Sequence, residues 1–417
     1  MNNKTIKTIA DNLIAISSKV TPLKNIMGHS FRIHDGVAYE LHNNDAMLFN
    51  EQVNIILTSA DYSEKFSEKY ISNELKKIFA LLLKNEIDDL EKSLMIFFER
   101  LSAFKRETTV YLQVTGLILD HPFKVGKVTF LRCDQNLIDQ LKTHSKIIID
   151  SLKNNEESKQ FFNEQVSSGL EDELLGKTIS RYSVNAEPDR AYERAKEETR
   201  KSIDLFHFAS KAIYGISNNI KIGLKGEFLK STRRGYLFSE NHITTQNDTV
   251  GPVESFSVNE TDLKRLKEIG FYKLSEFLAK KQPSQFEETL LRSVYWFSAA
   301  IRQEELEKSF LFMIIALETL FTIEHGNPIG VQIAEGTALI LGDTIEQRRN
   351  IRDLIKKFYG FRSAISHGGK KQITEGDYYS LLNIVGSAIK ILVGKSVTFH
   401  SQKDLLKWID DLKLGTT

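Results

Sequence analysis

Apolar residues recur at intervals of three and four over most of the chain, and that spacing predicts a protein built mainly of helices. Ile9, Leu13 and Ile16 open the pattern. It returns strongly over residues 63–106, where Leu75, Ile78, Phe79, Leu82 and Leu83 are followed by Ile87, Leu90, Leu94, Phe97, Phe98 and Leu101. That is enough for one long helix or two in succession. Residues 191–214 predict another helix, with Ala195, Thr199, Ile203, Phe206, Ala209 and Ser210 on its buried side. From residue 284 onward every stretch reads as helix. Phe286, Leu290, Val294, Phe297 and Ile301 share one face; residues 306–323 are apolar nearly all round, as in a helix buried on several sides. Residues 329–341 form a shorter helix. Residues 345–366 form a longer one carrying Ile351, Leu354, Ile355, Phe358, Phe361 and Ile365. Thr374-Glu-Gly-Asp377 has capping-box spacing and starts a helix to residue 393; Ser401-Gln-Lys-Asp404 starts a last one around Leu405, Leu406, Ile409 and Leu412.

The period changes in three places. Residues 31–57 suggest short strands broken by Asp35-Gly36 and Asn43-Asn44. Residues 108–119 and 123–131 are rich in β-branched and aromatic side chains and flank Asp120-His-Pro122, which predicts a β-hairpin. Two or more helices then follow to about residue 179. Residues 220–224, 235–238 and 255–258 read as strands, 246–252 as a loop, and Lys230-Ser-Thr-Arg-Arg234 as a basic turn. Such a turn can touch a phosphate backbone, but a solvated hairpin tip is the better reading. Residues 259–281 suggest two short helices before a linker at Gln282-Pro283. The expected fold class is α+β, mainly α: an N-terminal α+β region over 1–283, divisible into a helical segment over 1–107 and a mixed segment over 108–283, then a helical bundle over 284–417.

Composition narrows this little. The chain has 417 residues with a formal net charge of +1, so any nucleic-acid contact must be local. Cys133 is the single cysteine, which excludes intrachain disulfides and cysteine-based zinc sites and fits a reducing compartment. The longest apolar run, residues 310–317, is far short of the roughly 20 residues of a membrane span. The N-terminus has no signal-peptide pattern, so a cytoplasmic protein with no membrane partner is expected.

No phosphate-binding glycine loop, zincin-type histidine pair, nucleophile elbow or acidic calcium loop occurs, and no metal or cofactor is expected. What remains is Phe358-Tyr-Gly-Phe-Arg-Ser-Ala-Ile-Ser-His-Gly-Gly369, with Arg362 and His367 separated by four residues. Gly368 and Gly369 read as a helix stop, which puts His367 in the last turn or at the cap, where the helix dipole favours a protonated imidazole. A guanidinium can hold a phosphate and stabilise charge in a phosphorane transition state; a histidine can exchange protons with an RNA 2′-hydroxyl or a leaving oxygen. Together they suffice for metal-free RNA cleavage. On a continuous helix, however, a five-residue step leaves the two side chains roughly 140° apart. A frayed end or a second copy must then complete the site. Arg348, Arg349, Arg352, Lys356, Lys357, Arg362, Lys370 and Lys371 face one acid, Asp353, between residues 348 and 371, a local basic stripe suited to RNA or simply a solvated face. Glu318 is the lone acid in residues 310–321 and wants a cation, with Arg362 or His367 the candidates; a surface-facing position is the alternative.

Residues 284–395, with Ile315-Ala-Leu-Glu-Thr-Leu-Phe321 in one helix and the Arg362–His367 segment in a later one, resemble the Apea-like domains of the HEPN superfamily, found in bacterial defence proteins. The preceding segment, with Thr109-Val-Tyr-Leu-Gln-Val-Thr-Gly116 and Gly126-Lys-Val-Thr-Phe130, also resembles what precedes such domains. The resemblance implies a homodimer whose Arg–His motifs face each other across a composite site, and a metal-independent endoribonuclease used as a toxin or in abortive infection. It implies His367 as general acid/base, Arg362 as phosphate clamp and Glu318 as an orienting acid. The N-terminal region would then answer to a phage-derived trigger or a regulatory partner. Ser363 departs from the Asn, Asp or His common after the arginine in active members, though Apea-like members often carry serine there. The alternative is a noncatalytic HEPN scaffold that binds RNA or protein.

Overall fold

The computed structural model describes residues 2–22, 31–34, 38–41, 43–59, 62–151, 156–215, 218–228, 231–239, 242–250, 254–322, 328–366 and 373–415. The protein is mainly α with a small β component, and its C-terminal region is a helical bundle. By contact the chain divides into two compact units, residues 1–110 with 183–196, and residues 111–182 with 197–417. Among the described residues no helix is long and apolar enough to cross a membrane.

The first unit is built on α1 (Asn3–Ser17), α2 (Asn43–Thr58), α3 (Tyr62–Lys65), α4 (Glu68–Leu83) and α5 (Leu90–Ala103), with a small sheet of β1 (Thr21–Pro22), β2 (Phe31–His34) and β3 (Ala38–Leu41) in the order β1-β3-β2. Asn2, Ser67 and Asp89 accept hydrogen bonds from first-turn N–H groups and so start α1, α4 and α5. Ile9, Leu13, Phe49, Val53, Leu75, Phe79, Leu94 and Phe97 meet in one core. The expected strands over 31–57 extend only to Leu41. Asn43-Asn44 opens a helix rather than breaking a strand, because Phe49, Val53 and Ile56 bury on one helical face. Glu187, 4% exposed, accepts from the N–H groups of Ser67, Asp189 and Arg190. It thereby caps the start of α8 (Pro188–Tyr214), with Pro188 at the first helical position.

The second unit holds a five-stranded sheet in the order β6-β7-β8-β4-β9, from β4 (Glu107–Thr115), β6 (Phe123–Val125), β7 (Val128–Arg132), β8 (Thr178–Asn185) and β9 (Gly223–Leu224). The hairpin expected around Asp120-His-Pro122 does not form. β5 (Leu117–Leu119) instead pairs in parallel with β12 (Phe256–Val258), and the true hairpin is β6–β7, closed by Gly126-Lys127. Its two-residue turn needs a positive φ, which Gly126 supplies at 58°. Helices α6 (Gln135–Asp150) and α7 (Glu156–Leu174) follow as expected, and β8 then adds a strand that the polar-rich sequence concealed. β10 (Ser231–Ser239) and β11 (His242–Val250) form a long antiparallel ladder. Arg233 and Arg234 thus sit in a strand rather than a turn, and most of the loop expected over 246–252 is strand; Lys230 and residues 251–253 lie outside the described residues. α9 (Glu260–Glu268) and α10 (Phe271–Ala279) confirm the two short helices. Phe206 on α8 is the centre of the sheet-facing core, edge-on to Phe130 at 5.2 Å and against Phe271 at 5.4 Å.

The bundle comprises α11 (Gln285–Arg302), α12 (Leu306–Phe321), α13 (Ile329–Leu341), α14 (Ile345–Ser366), α15 (Glu375–Gly394) and α16 (Gln402–Lys413). Capping boxes at Ser284/Glu287, Thr374/Asp377 and Ser401/Asp404 start three of them. α12 lies at the centre: Phe310, Met313, Ile314, Leu317, Leu320 and Phe321 are fully buried, and Phe310 meets Phe358 of α14 edge-on at 5.5 Å. The Ser293 hydroxyl on α11 donates to the Ala316 carbonyl at 3.0 Å, and the Gln402 amide reaches the Thr319, Leu320 and Thr322 carbonyls that end α12. At Gly336 of α13 a Cβ would stand 2.7 Å from the Phe321 ring, so α12 and α13 approach through a missing side chain. This framework fixes α12 against α14, and with it the two charged residues that follow.

Candidate functional site

Of the two cations the sequence offered to Glu318 on α12, Arg362 on α14 comes beside it: Arg362 Nε lies 3.2 Å from Glu318 Oε1. Neither atom meets hydrogen-bond geometry, although both are sealed from solvent, so the contact is Coulombic rather than directed. Glu318 is held by its neighbours Leu317, Leu320 and Phe321, which anchor α12 and leave the carboxylate at the bundle's edge, with its side chain 18% exposed. Burial pushes the Glu318 carboxyl above its usual range, and the Arg362 charge pulls it only part of the way back. The Arg362 side chain remains one-third exposed, and no described residue engages its two terminal nitrogens.

Tyr359 joins this pair and was not anticipated. It sits one turn before Arg362, whose guanidinium carbon lies 5.8 Å from the ring centroid. Burial raises the Tyr359 phenol, the Glu318 charge raises it further, and Arg362 opposes both. The signal was available: residues three apart on a helix are neighbours, which places the Tyr359 ring beside Arg362.

The other nominated residues part company. Ser363 is exposed, one residue and roughly 100° around the helix from Arg362. The basic stripe is divided among local partners. Arg348 Nε donates to the Gly342 carbonyl at 2.8 Å and ties the end of α13; Arg352 pairs with Asp353 at 3.0 Å; Lys357 pairs with Asp377 at 2.8 Å and lies over the Phe358 and Phe361 rings. The Lys357 bond holds the Asp377 carboxyl below its usual range. Arg349 and Lys356 are exposed with no ion pair among the described residues. Seven residues apart, they share a face roughly 120° from Arg362. His367, Lys370 and Lys371, with Gly368 and Gly369, lie outside the described residues. Among the described residues no group of three or more His, Cys, Asp or Glu side chains converges to hold a metal.

A second polar cluster has the composition of a hydrolase triad but the wrong wiring. The Ile222 N–H donates to His207 Nε2 at 2.9 Å, so the neutral ring carries its proton on Nδ1 and donates to Ser298 Oγ at 2.8 Å. The Ser298 hydroxyl then donates to Asp204 Oδ1 at 2.5 Å, and Arg302 closes the chain at 3.4 Å. A nucleophilic serine must give its proton to the histidine; here it gives it to the aspartate, and its oxygen is fully buried. The cluster is a clasp joining α8, α11 and the approach to β9. Burial pushes Asp204 up to about 6, against the pull of Arg302 and Ser298. Burial together with the Arg302, Lys211 and Lys221 charges drives His207 down to about 3.

The chain matches no protein-family model, no curated protein and no solved structure.

Proposed function

We propose that the protein is a metal-independent endoribonuclease of a bacterial anti-phage or toxin system, acting as a homodimer through its helical bundle. The observation that carries this reading is Arg362: its Nε lies 3.2 Å from Glu318 Oε1, while no described residue engages its terminal nitrogens at a partly exposed edge. A fork held at one end and open at the other is suited to grip a phosphate, and Glu318 orients it. His367 takes the proton of an RNA 2′-hydroxyl as that oxygen attacks the adjacent phosphorus. A histidine from the partner copy protonates the departing 5′-oxygen, leaving a 2′,3′-cyclic phosphate and a 5′-hydroxyl. The test is RNA cleavage in EDTA by wild type and His367→Ala, with the product ends identified. Cyclic-phosphate products from wild type alone support the proposal; equal cleavage by both proteins contradicts it.

A second reading, a noncatalytic RNA- or protein-binding scaffold, is favoured by one observation: the Glu318 charge offsets part of the Arg362 charge before any RNA arrives. Under it, Arg362→Ala weakens salt-sensitive RNA binding and no product forms.

A further inference from the structure

A groove of about 590 Å³ opens in the second unit between α8, α10, α11 and the β6–β7 turn. That is within the usual range for a small-molecule site. Its walls carry more positive than negative charge, and the surplus is not consumed internally. Glu198 is taken by Lys201 at 2.7 Å, Asp204 by Ser298 and Arg302, and Lys280 by Glu287 at 2.5 Å. Lys127, Lys281 and Arg292 are left with no ion pair among the described residues, against Glu288 as the one unpaired lining acid. Three like charges around one concavity repel one another, and an anion relieves that repulsion.

The rest of the lining is apolar, from Leu205, Leu278 and Leu291 to Tyr295, which is 46% exposed despite its size. Two of the three cations, Lys127 and Arg292, attach to packed elements, and Lys281 to the connection between α10 and α11. The Gly126 N–H donates to the Ser275 hydroxyl at 2.9 Å, and a Cβ at Gly126 would stand 2.9 Å from Leu278, so the turn bearing Lys127 is seated directly on α10. On α11, Arg292 and Tyr295 lie outward while their neighbours Ser293, Val294 and Phe297 are buried in the bundle. A concavity with separated cations at its rim and an aromatic and aliphatic floor matches a ligand that is polyanionic at one end and flat and apolar at the other.

We propose that this groove binds a nucleotide, with its phosphates at Lys127, Lys281 and Arg292 and its base against Tyr295 and Leu291. The proposal does not depend on the nuclease reading. Calorimetry on the full chain with ATP, adenosine and inorganic pyrophosphate tests it. ATP is expected to bind at least about tenfold more tightly than either fragment. The double variant Lys281→Glu/Arg292→Glu should weaken ATP at least about tenfold, Tyr295→Ala several-fold, and Arg362→Ala not at all. The three altered side chains are exposed, so thermal melting checks that each variant remains folded. No heat with ATP at about 1 mM overturns the proposal, as does pyrophosphate binding as tightly as ATP. A double charge reversal that leaves the affinity within about twofold overturns it as well.

Discussion

Two of the carboxylate–arginine pairs in the second unit, Asp204–Arg302 and Glu318–Arg362, differ in almost everything else. In the Asp204–Ser298–His207 clasp every donor has an acceptor, the side chains are buried, and Arg302 terminates a closed chain. At Glu318–Arg362 the charges lie 3.2 Å apart without hydrogen-bond geometry, Glu318 Oε1 is buried without a hydrogen bond, and no described residue engages the guanidinium ends. A saturated network stabilises a fold and has nothing left with which to bind. An unsaturated one costs stability and retains the capacity to grip something else. The residue types at the first cluster look more catalytic than those at the second; the hydrogen-bond directions reverse that impression.

The largest expected effect lies in the saturated cluster. His207→Ala strands the Ile222 N–H beside a cavity and takes from Ser298 Oγ the hydrogen bond it accepts, and should lower the unfolding free energy by about 3–5 kcal/mol in urea titration. A loss below about 1 kcal/mol would show that the clasp is not structural.

The next effect is in pH dependence. Asp204 is raised in the fold, so its contribution is greatest below the ordinary 3.8 and is lost as pH rises toward about 6. His207 is lowered, so its contribution is complete above the ordinary 6.5 and is lost as pH falls toward about 3. Between 3.8 and 6 the two slopes oppose each other. Asp204→Asn removes one of them, and stability measured by denaturant titration should then fall with acidification by up to about 1.4 kcal/mol per pH unit more steeply than in wild type. An unchanged slope would refute the opposition.

The open pair should respond weakly. Arg362→Ala should cost about 1 kcal/mol or less, since the pair is partly exposed and the Glu318 carboxyl already titrates upward. Glu318→Gln, which removes a half-buried charge, should change stability by no more than about 0.5 kcal/mol. A large loss in either would make this pair a second clasp.

Much of the helical framework was legible because helical periodicity is local. The buried faces of α8, α11 and α12 follow directly from residues spaced at threes and fours, and one acid set in an apolar run called for a cation, though it left Arg362, His367 and a surface-facing position open. The sheet was not legible, because its pairings are remote: Val114 on β4 meets Leu224 on β9, and Leu117 on β5 meets Phe256 on β12. No local pattern encodes such partners. β8 and β11 were missed because serine, threonine and asparagine fill many of their positions, and α2 because Asn43-Asn44 reads equally well as a break or a first turn. The basic stripe was visible as a count, but its division among Gly342, Asp353 and Asp377 depends on contacts across the bundle as well as along α14.

The central claim is that the open end of Arg362 grips RNA phosphate, and single-turnover RNA cleavage in EDTA by Arg362→Ala and Lys356→Ala tests it most directly. Arg362→Ala should slow cleavage by at least about a hundredfold, while Lys356→Ala, on the far face of α14, should change it only a few-fold and lose that effect at high salt. Cleavage by Arg362→Ala within about threefold of wild type would contradict the account.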